Sequence, residues 1–71
     1  MPTILLCVEG MHGSADETRV ERALRAEPGV FGAVASHMDR CAEVDCEEDE
    51  VALDRLIRIV EDQGFRATLN G

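Results

Sequence analysis

Hydrophobic residues in this chain recur at every second position, then at every third or fourth, and the pattern alternates between these two periods within a short span. Ile4, Leu6 and Val8 alternate with Leu5 and Cys7, the spacing of a strand with one buried face. Val20, Ala23 and Leu24 follow at helical spacing. Val30, Ala33 and Val34 supply a second strand, and Ala42, Val44 and Cys46 alternate inward along a third, so Cys41, Glu43 and Asp45 face outward. Leu53, Leu56, Ile59 and Val60 form a second helical stripe, and Phe65 to Leu69 a last strand. The predicted order is β-α-β-β-α-β, with strands over about 3–9, 30–36, 41–46 and 65–69 and helices over about 15–26 and 50–62.

Punctuation between these segments agrees with the order. Ser14 with Glu17 three residues later has the form of a capping box at the first helix. Pro28-Gly29 ends that helix, and His37-Met38-Asp39-Arg40 makes a turn. The acidic run Glu47-Glu48-Asp49-Glu50 stands where negative charge favours a helix start, and Gly64 suits a helix C-cap. Such an order predicts an α+β, ferredoxin-like sandwich, with one antiparallel sheet of four strands and both helices on one face. At 71 residues the chain is expected to be a single domain spanning 1–71, with a modest core.

Fifteen Asp and Glu face seven basic residues, all Arg, for a net charge of -8. Nucleic acid is excluded as a partner, because phosphate contacts need a basic patch. A protein partner would offer a basic surface, or the charge serves solubility alone. The three cysteines are widely and irregularly spaced, unlike a disulfide framework. Neither a signal segment nor a membrane-spanning apolar run is present, so a reduced, cytoplasmic setting is expected. An enzyme is not expected: no Ser-His-Asp or Cys-His set and no phosphate-cradling glycine loop occur.

Gly10-Met11 after the first strand, Gly29-Val30, and Glu61-Asp62-Gln63-Gly64-Phe65 near the far end carry a resemblance over about residues 3–69. The chain resembles the heavy-metal-associated domain of copper chaperones and metal-pumping ATPases. The resemblance implies the ferredoxin-like fold, a transition-metal cargo (copper or zinc), and transfer to a partner domain of the same kind in a metal-transporting ATPase. The family's motif is Gly-Met-x-Cys-x-x-Cys, and here the two cysteine positions hold Gly13 and Asp16. Phe65 stands where bacterial members often carry a Tyr beside the metal loop. Its ring could cover that loop without a hydroxyl to donate.

Thiolates suit soft ions, and a helix N-terminus lowers their pKa. Gly13 offers no donor and Asp16 a hard oxygen, so the usual two-coordinate Cu(I) site cannot form in this loop. Three alternatives stand. The loop is an ordinary helix start, with Met11 as a core plug. Or His12 and Asp16, four apart, converge as a site suited to Zn, Ni or Cu(II). Or the site has moved to Cys7, near the end of the first strand, and Cys41, which opens the third, with His37 and either Met38 or His12 nearby. That last cluster depends on strand register, since a two-residue slip would separate the thiols. Cys46 is expected to be a core residue. The acidic run at 47–50 lacks the Gly turn and ligand spacing of a calcium loop.

Two functions follow from these alternatives. The first is a small metal-trafficking or sequestering protein with a divergent site at Cys7, Cys41 and His12, with His37 and Asp16 as weaker candidates. The second is a metal-free interaction or regulatory module that keeps the family's docking surface. A monomer is expected, or a weak homodimer paired through the sheet face at Leu5, Cys7 and Cys41.

Overall fold

A computed structural model describes residues 3–47 and 53–69. The elements are β1 (Thr3–Glu9), α1 (Ser14–Arg25), β2 (Val30–Ser36), β3 (Cys41–Cys46), α2 (Leu53–Asp62) and β4 (Arg66–Leu69). The four strands form one sheet in the order β2-β3-β1-β4, and every neighbouring pair is antiparallel. This is the ferredoxin-like arrangement expected from the hydrophobic pattern. The strand limits match the sequence expectation to within one residue. Of the acidic run, residues 48–50 lie outside the described residues, as does the start expected for the second helix.

The alternation in β1 and β3 becomes a division between two sheet faces. Leu6, Val8, Ala42, Val44 and Cys46 are buried against the helices, together with Ala33, Ala35 and Ala67. The helices contribute Val20, Leu24, Leu56 and Val60, all fully buried, and Met11 closes the core at the β1–α1 loop. Burying each of the larger side chains stabilises by roughly 1.5–3 kcal/mol. Ile4, Leu53, Ile57, Ile59 and Phe65 pack around its margin. The opposite sheet face carries no helix. Leu5, Cys7, Val34, Ser36, Cys41, Glu43 and Asp45 lie on it, half-buried or exposed. No helix among the described residues is long and apolar enough to cross a membrane.

The first helix does not begin as the sequence suggested. Its N-cap is Gly13, with extended backbone (φ 179°) and no side-chain cap, so the Ser14–Glu17 capping box does not form. Ser14 is already helical, and its carbonyl accepts the Thr18 hydroxyl at 3.0 Å. Glu17 has instead been recruited by the edge of the sheet. The Arg25 guanidinium donates to the Ala33 carbonyl (2.8 Å), the Ala35 N–H donates to the Glu21 carboxylate (2.9 Å), and the His37 N–H donates to Glu17 (2.7 Å). Four residues of helix rise about 6 Å and two of strand about 6.6 Å, so a helix running antiparallel to a strand can bond it repeatedly at these spacings. β2 is an edge strand, and these side chains occupy backbone groups that would otherwise invite pairing with another chain.

Glu17 also meets the His37 ring, with Nδ1 2.7 Å from Oε2. The His37 backbone N–H, and then the ring, hold the Glu17 carboxyl below its ordinary value. A depressed carboxyl stabilises the fold above its ordinary titration range, and that contribution is lost as pH falls through the lowered folded-state value.

Two outcomes are expected. Glu21→Ala removes the acceptor of the Ala35 amide, so hydrogen exchange at Ala35 should accelerate at least about tenfold and stability fall by about 1 kcal/mol, whereas Glu21→Gln keeps an acceptor and most of the protection. Unchanged Ala35 exchange in the alanine variant would contradict the edge-clamp role. For Glu17→Gln, thermal denaturation between about pH 5 and 3 should depend less on pH than in the wild type, because the variant has no carboxyl to protonate.

Candidate functional site

The loop after β1 and the first turn of α1 hold the two positions, Gly13 and Asp16, where the family's cysteines stand. Gly10 turns the chain with φ +107°, and a Cβ there would lie 3.3 Å from Cδ1 of Phe65, so Phe65 packs directly on the loop backbone. Gly13 has no side chain, and a Cβ built on it meets nothing within 4 Å. Asp16 is committed locally: its carboxylate accepts the His12 backbone N–H at 2.9 Å and lies 3.9 Å from the Arg19 guanidinium. Arg19 ties the loop to the far end of the chain, donating to the Gln63 carbonyl at 3.0 Å with its guanidinium 5.5 Å from the centre of the Phe65 ring. His12 and Asp16 thus meet through the backbone of one and the carboxylate of the other. The tie from Arg19 to the far end of the chain was not visible in the sequence, since Gln63 and Phe65 lie more than forty residues away.

His37 is likewise engaged elsewhere. Its ring Nδ1 and backbone N–H both contact Glu17 on α1, which draws it toward the helix layer. Met38 projects into solvent at 81% exposure. Among the described residues no three His, Cys, Asp or Glu side chains are grouped so as to hold a metal ion.

Cys7 and Cys41, by contrast, are direct partners across the β1–β3 ladder. The Val8 N–H donates to the Arg40 carbonyl at 2.8 Å, so the Val8 N–H faces β3 and that of Cys7, one residue earlier, faces away from it. Hydrogen-bonded and non-hydrogen-bonded pairs alternate along an antiparallel ladder. Cys7–Cys41 is therefore of the non-hydrogen-bonded kind, in which Cα atoms approach to about 4.5 Å and side chains lie closest. The row continues on both sides, with Thr68 opposite Cys7 and Ser36 opposite Cys41. Both thiols are half-buried on the face away from the helices, whereas Cys46 is buried within the core. Partial burial pushes the Cys41 thiol up, and the negative charges of Asp39 and Glu43 and the neighbouring Cys7 add to the effect. A soft ion binding there would have to displace protons as it binds. No pocket is present among the described residues, so any chemistry of this pair takes place on an open surface.

No family model matches the sequence, and no curated protein does. Solved structures match it over almost its whole length. A copper-binding domain from the P-type ATPase HMA7 superposes with a TM-score of 0.95 at 31% identity, covering 100% of this chain and 96% of that one. The CopZ metallochaperone gives 0.91 at 28% identity, covering 94% and 100%. The yeast copper transporter domain Ccc2a, solved in apo and Cu(I) states, gives 0.87 at 31% identity, covering 94% and 92%. With an identity above 30% across nearly the full length of two of these domains, and the same strand and helix order, the chain belongs to the heavy-metal-associated domain family.

Proposed function

We propose that this domain traffics a soft transition-metal ion held by the thiolates of Cys7 and Cys41, in place of the loop site from which the motif's sulfur is gone. The observation that carries the proposal is the pairing of these residues opposite one another in the sheet. Two sulfur donors side by side suit Cu(I), which accepts two-coordinate thiolate ligation. Structural Zn(II) favours four ligands, and among the described residues no three His, Cys, Asp or Glu side chains are grouped so as to hold a metal ion. The copper-binding domain of HMA7 and the Cu(I)-loaded yeast domain supply the precedent for cargo on this fold. The cargo would pass to or from a heavy-metal-associated domain of a metal-transporting ATPase in the cytoplasm. With a net charge of -8, this chain would favour a basic docking surface on that partner. The role is binding and handover, not catalysis, by a single domain.

A second function, a metal-free docking module, draws on the commitment of Asp16 to His12 and Arg19, which turns the former ligand loop into a braced helix start. Titration with Cu(I) and Zn(II) against a chelator of known affinity separates the two. The reduced protein should bind one Cu(I) more tightly than Zn(II). Cys7→Ser and Cys41→Ser should each weaken Cu(I) binding at least about a hundredfold, and Cys46→Ser should leave it unchanged. Absence of tight binding would favour the docking module, and tight binding indifferent to both substitutions would move the site to His12 and Asp16.

A graft tests whether the scaffold still supports the ancestral chemistry. A side chain at Gly13 meets open space, so Gly13→Cys with Asp16→Cys should fold and bind Cu(I) even when Cys7 and Cys41 are replaced by Ser. The expected cost is about 1 kcal/mol of stability, from loss of the carboxylate bonded to the His12 N–H. Failure of this folded variant to bind Cu(I) would show that the loop has lost more than its sulfur.

A further inference from the structure

We propose that Cys7 and Cys41 form a reversible thiol–disulfide couple, closed by a small-molecule disulfide such as oxidised glutathione and reopened by the corresponding thiol. The first support is geometric. The pair is of the non-hydrogen-bonded type, in which Cα atoms generally approach to about 4.5 Å, inside the roughly 4.4–6.8 Å range over which disulfides form. The second is the surrounding ladder. The Val8 N–H bonds the Arg40 carbonyl on one side, and the register runs on through Leu6–Ala42 on the other, so the pair is held opposite, and closing the bridge asks for side-chain rotation and a small approach of the two strands. The third is access. Both sulfurs lie half-buried on the open face, where a small oxidant can reach them, while Cys46 lies inside the core at 1% exposure.

The chemistry balances as two exchange steps. One protein thiolate attacks a sulfur of the oxidant; a protein–glutathione bond forms, the oxidant's S–S bond breaks, and one glutathione thiolate leaves. The second protein thiolate attacks the protein sulfur of that mixed disulfide and expels the second glutathione. The two protein thiols lose two protons and two electrons, and one oxidised glutathione becomes two reduced ones. The bridge itself does not rest on the metal proposal. Its consequence for cargo does: once both sulfurs are joined, neither remains as a thiolate donor, and oxidation releases a soft ion.

The test starts from reduced, metal-free protein equilibrated in mixtures of oxidised and reduced glutathione and quenched with an alkylating agent. Intact mass should show two thiols lost together with no added glutathione, and peptide mapping should join Cys7 to Cys41. Cys46→Ser should oxidise like the wild type. Cys7→Ser should stop at a glutathione adduct on Cys41 or an unreacted thiol. The bridged form should denature at higher temperature than the reduced form, because the cross-link restricts the unfolded chain. A stable glutathione adduct on one cysteine beside an intact thiol on the other would overturn the proposal, as would bridging between chains in preference to bridging within one. Cu(I) titration of the bridged and reduced forms, with thiols counted afterwards, keeps the two ideas apart. Equal Cu(I) affinity in both forms removes the cargo consequence and leaves the bridge. Failure to bridge in a protein that binds Cu(I) through both cysteines removes the bridge and leaves the metal proposal.

Discussion

The antiparallel pairing of β1 with β3 in the middle of the sheet is the constraint on which the rest depends. Side chains alternate between faces with a period of two, so register decides which set is buried. The pairing that places Leu6 beside Ala42, with Val8 one step further along β1, puts large and small apolar side chains together under the helices. A slip of one residue would turn those side chains to solvent and carry Leu5 and Cys7 inward, at a cost of several kcal/mol from exposed Leu and Val alone. The same alternation keeps Cys7 and Cys41 on the uncovered face, and the register that seats Leu6 beside Ala42 sets the two thiols opposite one another.

How far the sequence disclosed this structure follows the range of each interaction. Strands and helices were legible because alternation and helical spacing are local, and the burial of Leu6, Val8, Ala42, Val44, Val20 and Leu24 follows from them. The heavy-metal-associated resemblance rested on Gly10, Met11 and the Gly64-Phe65 turn, which hold the loop and its cover in place. The helix start was misread because Ser14 and Glu17 have the right local spacing for a capping box, while the actual partner of Glu17 is His37, beyond the rest of the helix, a loop and a strand. Local pattern cannot rank a nearby backbone N–H against one brought close by folding. The thiol pairing lay between these cases. Topology made β1 and β3 neighbours, but only the register brings Cys7 and Cys41 face to face.

The loop shows what a helix start becomes without sulfur. An acid in the first turn is favoured by the helix dipole whatever its history. Asp16 adds a bond to the His12 N–H in front of the helix, and Arg19 then bridges that carboxylate, the Gln63 carbonyl and the Phe65 face. A metal-transfer loop needs donors that can change partners. Here the Asp16 carboxylate is engaged by the His12 N–H and Arg19, and Phe65 lies against the backbone of Gly10. Such a loop braces the two ends of the fold together, and its charges are balanced without an ion.

Placing donors on paired strands instead of a loop changes how a cargo can be exchanged. A loop ligand can swing toward an incoming thiolate, whereas a strand ligand is held by the ladder on both sides, so the partner must bring its own donors to the sheet face. That face is bordered by acids: Glu43 and Asp45 alternate with the inward residues of β3, and Glu9 ends β1 opposite Arg66. Negative charge around the thiols draws cations in, so it speeds encounter with a positively charged ion or surface, and partial burial together with that charge pushes the Cys41 thiol up. Under the metal-trafficking proposal these effects together favour an approach along the open sheet by a basic partner, not one along the loop. A domain working this way would keep its family's fold while presenting its cargo from a different side of the molecule.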